Sequence, residues 1–224
     1  DRRLGWRQQR RALAELKAEG AAELAKLMLD TKADLAMRRE IPAALAFKGD
    51  STAIPKIMPV LRDNNEDVYV RGNILLYMNE VCTKATCGAF ADSIYPFLKD
   101  EYPSIASANL LLKIVGAGAL ERVLKDIAPA QALSGGEVNK LVDDRIVPLG
   151  EKALPSLAKA LRGRNWIGKV LAIRALGKIG GTGEVGALMK LRGDKHRADN
   201  WKDETSIGTE ATRAVKAIQE RRAR

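Results

Sequence analysis

Apolar residues along this chain recur at three- and four-residue intervals, in short stretches that each close on a leucine followed by charged or small residues. Six such endings stand out: Leu29-Asp30, Leu61-Arg62-Asp63, Leu98-Lys99-Asp100, Leu124-Lys125-Asp126, Leu161-Arg162-Gly163 and Leu191-Arg192-Gly193. Their last residues lie 33, 37, 26, 37 and 30 positions apart. The spacing within each stretch is that of one helix face, and a near-constant period of this length is the signature of stacked helical repeats. After each ending comes a polar turn and a second periodic stretch, several of which stop at glycines such as Gly49, Gly116 and Gly180.

The pattern predicts first helices near 21–30, 52–62, 89–99, 117–126, 151–162 and 183–192. Second helices are expected near 33–48, 66–81, 103–115, 137–149, 165–179 and 206–220, with an extra capping helix near 6–18. Pro55 and Pro155 fall in the first turn of their helices, where a missing N–H costs least. Two places depart from the rhythm: 129–136 lengthens the fourth turn, and 193–205 inserts a polar loop into the last unit. An ungapped self-match at an offset of 100 aligns Ile54-Pro55-Lys56-Ile57 with Leu154-Pro155-Ser156-Leu157, and Asn65, Val70 and Leu76 with Asn165, Val170 and Leu176. No sustained apolar/polar alternation bounded by turn residues is present, so no strand is expected. Apolar residues make up 46% and aromatics only 4%, which suits closely stacked, Ala- and Leu-rich helices. The expected class is all-α, a single repeat domain with approximate units 1–50 (including the capping helix), 51–87, 88–116, 117–149, 150–181 and 182–224.

The stretch Val170-Leu171-Ala172-Ile173-Arg174-Ala175-Leu176-Gly177-Lys178-Ile179-Gly180, followed by Glu184-Val185-Gly186-Ala187-Leu188, resembles a HEAT repeat of the bacterial kind also found in phycobilin lyases. Leu149-Gly150-Glu151-Lys152-Ala153-Leu154-Pro155 is similar to the entry of the same unit. The resemblance is specific over 144–192, fair over 50–81 and only periodic elsewhere. It implies a right-handed α-solenoid of about six antiparallel helix pairs, with second helices lining the concave side. It further implies a protein-interaction scaffold, since only a few family members are enzymes.

The formal charge is +10, from 38 Lys and Arg against 28 Asp and Glu. Such a balance favours anionic partners, among them acidic proteins, nucleic acid and anionic lipid surfaces, without choosing between them. No apolar run approaches the ~20 residues of a bilayer span. The longest, Ile105 to Leu120, is interrupted by Ser107, Asn109, Lys113 and two glycines. The chain opens on Asp1 rather than Met, which predicts a trimmed or processed product. Cys82 and Cys87 stand at the handover between the second and third units, where other units use glycine. They point to a disulfide and an oxidising, extracytoplasmic compartment; the alternative is a pair of reduced thiols in a cytosolic protein.

Catalytic constellations are hard to assemble. His196 is the one histidine, flanked by Lys195 and Arg197, and reads as a solvated loop residue. The paired His-Glu motifs that hold iron in the HEAT-repeat deoxyhypusine hydroxylases are therefore absent, and no Ser-His-Asp order can be built. Asp143-Asp144 and Glu66-Asp67 are sequence neighbours that point to different helix faces. The glycine clusters follow helices rather than strands, so they are not phosphate loops. No cofactor, metal or catalytic residue is predicted.

The tryptophans carry the surface signal. Trp6 lies among Arg2, Arg3, Arg7, Arg10 and Arg11; Trp166 among Arg162, Arg164 and Lys169; Trp201 after Lys195, His196 and Arg197. The last two groups, with Arg192, occupy the intra-pair turns of adjacent units, and the fold implied above makes them neighbours along one edge. Basic residues interleaved with an aromatic suit a protein hot spot or phosphate contact with base stacking; each Trp could equally cap the core under its loop. Asp194, Asp199, Asp203 and Glu204 dilute the field around Trp201.

A second candidate is the concave stripe Tyr69, Asn73 and Tyr77, continued by Asn109 and Lys113 and then Arg174 and Lys178, although any solvated helix face shows such a stripe. The expected function is non-catalytic binding of an acidic macromolecular partner through this face or the Trp/Arg edge. The alternative is nucleic-acid binding as in HEAT-like alkylpurine DNA glycosylases, with Trp166 and Asp203 the nearest candidates for a base cleft. A chromophore-lyase-like enzyme is third.

Overall fold

A computed structural model describes residues 20–100, 102–128, 135–197 and 205–223. The expected capping helix at 6–18, with Trp6, and the Trp201 segment lie outside the described residues. Among the described residues the protein is all-helical, with one isolated bridge between Arg197 and Ser206 and no strand. The chain divides into two compact units, residues 1–89 and 90–224.

In the first unit, α1 (Ala21–Leu29) and α2 (Leu35–Lys48) form one pair, and α3 (Ile54–Arg62) and α4 (Val68–Val81) the next. α1 packs on α3, while α2 packs on α4. Leu24, Ala25 and Met28 of α1 and Ile54, Ile57, Met58 and Leu61 of α3 are buried at the three- and four-residue spacing of one face. Cys82 caps α4 and is disulfide-bonded to Cys87, the last residue of a short helix, α5 (Lys84–Cys87), where the sequence predicted only a loop. Both sulfurs are fully buried.

In the second unit the helices are α6 (Ala91–Ile94), α7 (Ser104–Ile114), α8 (Ala117–Asp126), α9 (Gly135–Leu141), α10 (Leu154–Ala160), α11 (Trp166–Ile179), α12 (Thr182–Met189) and α13 (Ile207–Arg222). Second helices again pack on second helices, α7 on α9 and α11 on α13, and first helix α8 packs on α10. α11 is the centre: Ile167, Val170, Leu171, Ala172, Ile173, Ala175 and Leu176 bury nearly its whole circumference. A helix apolar all round belongs in the middle of a stack.

Two expected helices are broken, each at a proline. The helix predicted at 89–99 is the 3-10 turn Gly88–Phe90, α6 and a 3-10 segment, Tyr95–Lys99, that carries Pro96 in its first turn. The helix predicted at 137–149 runs from α9 into a π turn, Val142–Ile146, and then a 3-10 segment, Val147–Ala153, with Pro148 in its first turn. Proline has no N–H and its ring crowds the carbonyl four residues back, which favours a wider or tighter turn at Pro96 and Pro148, although α2 and α3 carry Pro42 and Pro59 without a break. The self-match at an offset of 100 also slips after the first helices. Asp67, not Asn65, caps α4, whereas Asn165 caps α11.

A closer repeat appears in the backbone. Gly116 (φ 73, ψ −140) and Gly150 (φ 56, ψ −138) share a conformation open to glycine, each where a second helix hands over to the next first helix. Gly168 is required for a different reason. A Cβ there would lie 1.9 Å from the Leu124 carbonyl oxygen, because the first turn of α11 rests on the end of α8. Gly168→Ala should therefore destabilise the protein by about 3 kcal/mol, since backbone must move. Gly186→Ala, where an added methyl meets nothing within 4 Å on helix α12, should instead stabilise by about 0.5–1 kcal/mol. Chemical denaturation of the two variants against the parent checks both signs.

Candidate interaction edge

Four intra-pair turns are closed by a polar side chain that satisfies free N–H groups of the helix it starts, whereas α7 starts at Pro103 with no side-chain cap. In the first unit Asp34 accepts from the Met37 N–H (3.0 Å), and Asp67 accepts from Tyr69 (3.1 Å) and Val70 (3.0 Å). Asp30 and Asp63 tighten the same turns by accepting from Lys32 and Asn65, both at 2.9 Å. In the second unit Asn165 accepts from Ile167 (3.1 Å) and Gly168 (3.3 Å), and Ser206 from Thr209 (3.1 Å). Asp194 repeats the Asp30 role, accepting from the His196 N–H at 2.9 Å.

The choice of cap decides the charge of the edge. In the first unit the turn Asp63-Asn64-Asn65-Glu66-Asp67 is acidic, while Gly163-Arg164-Asn165 uses a neutral cap and leaves arginine outside. Taken together, 121–127, 156–169 and 189–197 hold ten basic and three acidic side chains. The acids are engaged: Glu121 with Lys159 (2.6 Å), Asp126 with Arg122 (3.8 Å), and Asp194 in its turn. Among the described residues no carboxylate pairs with Lys125, Arg162, Arg164 or Lys195.

The turns that carry these charges lie side by side. Asn165 donates to the Lys125 and Ile127 carbonyl oxygens (3.0 and 2.8 Å), holding the end of α8 against the start of α11. The Trp166 and His196 rings are 5.7 Å apart and tilted by 49°, which places the 190–197 turn against the 161–165 turn. Between α8 and α10 opens a cleft of about 400 Å³, with Leu124, Ala160 and Gly163 among its walls and Lys125, Lys159 and Arg164 at its rim.

Arg162, Arg164, Arg192, Lys195 and Arg197 are exposed, Trp166 and Lys169 half-buried, and Trp166 is the first residue of α11 rather than a turn residue. His196 is exposed, as a solvated residue would be, but its ring lies against Trp166.

The second-helix stripe is different in kind. Arg174 donates to both Glu210 oxygens (each 3.0 Å) and to Asn139 (2.8 Å); Lys178 pairs with Asp143, and Arg145 donates to Asn109. Lys113 is half-buried on α7. These contacts span 35 or 36 residues, one repeat, so Arg174 and Lys178 are rungs between neighbouring helices. In the first unit Asn73 donates to the Arg39 carbonyl oxygen (2.9 Å), and the Arg39 guanidinium lies 4.9 Å from the Tyr69 ring centre. Tyr77, expected on that stripe, is buried and donates to the Asp50 carbonyl oxygen, so it lines no groove. Leu76 and Phe47 are exposed instead, at 51% and 70%. Sequence reasoning passed over both because a lone exposed apolar residue has no local signature. It also passed over Lys125 and Lys159, whose importance depends on the cleft between their helices.

Internal pairing sets the titration behaviour. The hydrogen bond from Arg39 holds the Asp67 carboxyl below its usual range. Burial opposes the Glu210 charge, but the hydrogen bonds and positive charge of Arg174 outweigh it and bring its pKa down. Burial raises the Tyr77 phenol. Because the folded state depresses both carboxylates, the stability they add is complete above the unfolded range near ~4 and is lost as pH falls through the lower folded values. The melting temperature should hold from neutral pH to about 5 and drop below about 4. Arg174→Met should cost about 2–3 kcal/mol at neutral pH by leaving buried Glu210 with only the more exposed Arg213, 3.3 Å away, to answer its charge. Its acid slope should shrink, because protonating Glu210 then relieves the fold. Lys216→Met, at a pair whose side chains are 76% and 61% exposed, should stay within about 0.5 kcal/mol of the parent. Melting curves between neutral and acid pH test these three statements together.

Among the described residues no group of three or more His, Cys, Asp or Glu is placed to hold a metal ion, and no helix is long and apolar enough to cross a membrane. No family model, curated protein or solved structure matches the chain.

Proposed function

We propose that this chain is a HEAT-like helical-repeat protein, a right-handed α-solenoid, that binds an acidic protein without catalysis through the turn edge around Trp166 and His196. The observation that carries this reading is the contrast between the two charged surfaces of the second unit. On the second helices, Arg174 and Lys178 are already neutralised by Glu210 and Asp143. On the turn edge, Arg162, Arg164 and Lys195 meet no carboxylate among the described residues. Unneutralised cations around a half-buried Trp suit a hot spot rimmed by charge, where encounter is accelerated and acidic partners are selected. Binding single-stranded nucleic acid rests instead on successive exposed aromatic faces, and on this edge Trp166 is half-covered and faces His196. The buried Cys82–Cys87 disulfide supports an oxidising compartment for the complex.

Charge reversal tests the edge. Arg164→Glu with Arg197→Glu should weaken binding of a fluorescent poly-glutamate chain by about tenfold or more near 0.15 M salt, with far-UV circular dichroism unchanged. Unchanged affinity would remove the edge from consideration. Tighter binding of single-stranded DNA than of poly-glutamate, with a steep salt dependence, would replace the protein partner by nucleic acid.

A further inference from the structure

Resting on the edge reading above, we infer that the cleft between α8 and α10 seats one bulky apolar side chain of the acidic partner, with carboxylates on either side of it held at the basic rim. The partner is thus an acidic segment with an apolar anchor.

The cleft exists because small residues face it. Ala160 and Gly163 leave space beside α8, where Leu124 itself is 2% exposed, and at about 400 Å³ the opening falls in the range of sites that bury a ligand. It is also held open. Asn165 grips the end of α8 through two carbonyl oxygens and caps α11 with its other atom. The close approach of Gly168 to the Leu124 carbonyl oxygen fixes the distance between α8 and α11, and the Lys159–Glu121 pair ties α10 to α8 across the cleft. A site shaped before binding loses little entropy on filling.

The rim selects charge. Lys159 is tied to Glu121 and Asp126 to Arg122, so both acids at the mouth are already answered. Lys125 and Arg164 remain as the groups a carboxylate would meet. The walls contain no aromatic ring on which a nucleobase could stack, which favours a polypeptide anchor over a flipped base.

The test uses two short synthetic peptides of Asp and Glu, one with a central Phe and one with Ala in its place, titrated calorimetrically against the full chain. The Phe peptide should bind about tenfold or more tightly, the advantage expected from burying one aromatic side chain. Ala160→Trp, which fills the cleft from its half-exposed wall, should abolish that advantage while leaving Ala-peptide binding intact. Ser156→Trp plugs the same cleft from a second position and guards against a folding defect in the first variant. Equal affinity of the parent for the two peptides, or a Phe advantage that survives both plugs, overturns the inference. Either result leaves the edge standing if Arg164→Glu with Arg197→Glu still weakens the Ala peptide. Loss of oligothymidylate binding in both plugged variants, with the peptides unaffected, would overturn it in favour of a base.

Discussion

Arginines that join one helix pair to the next are the interaction on which the rest of each unit depends. Arg38 is 5% exposed and serves three acceptors: it donates to the Met28 carbonyl oxygen at the end of α1 and to both oxygens of Glu66 just before α4. Arg174 does comparable work in the second unit, bridging Asn139 on α9 to Glu210 on α13. Apolar packing between helices is non-directional and would tolerate a slip of a turn. A planar guanidinium with fixed donors tolerates far less, because a displaced carboxylate would remain buried without its partner. The rungs therefore set register, and register sets which turn lies beside which.

Where the positive charge appears follows from the helices themselves. The last turn of a helix leaves carbonyl groups unsatisfied and carries the negative end of its dipole, which favours basic residues there. Lys26, Arg62, Lys99, Lys125 and Lys159 all occupy such last turns. In the first unit the aspartates that close the turns offset this charge. In the second, Asn165 and Ser206 replace them as caps and do not. A difference that is nearly neutral for helix capping, Asn or Ser for Asp, thus alters the electrostatics of a whole edge.

Most helices were legible from periodicity. α1, α2, α4, α8, α11 and α13 begin within two residues of where the apolar spacing, caps and glycines put them. Pro96 and Pro148 were visible too, but the 3-10 and π turns they impose depend on which carbonyl each ring would strike. The candidate residues were less legible. Tyr69 and Tyr77 share a helical stripe, yet one is 47% exposed and the other 1%, because the neighbouring elements cover only part of that face. Arg174 looks like Arg164 in sequence, and only the acid 36 residues away on α13 distinguishes its role.

By itself, then, the chain's order of apolar, capping and charged residues determined helix identity, turn position and the excess of positive charge, since these depend on neighbours within a few residues. Tertiary structure alone decided which cations were neutralised, which aromatic met His196, and where small side chains left a cleft. Those outcomes arise between residues about a repeat apart, brought together by packing rather than by any local preference.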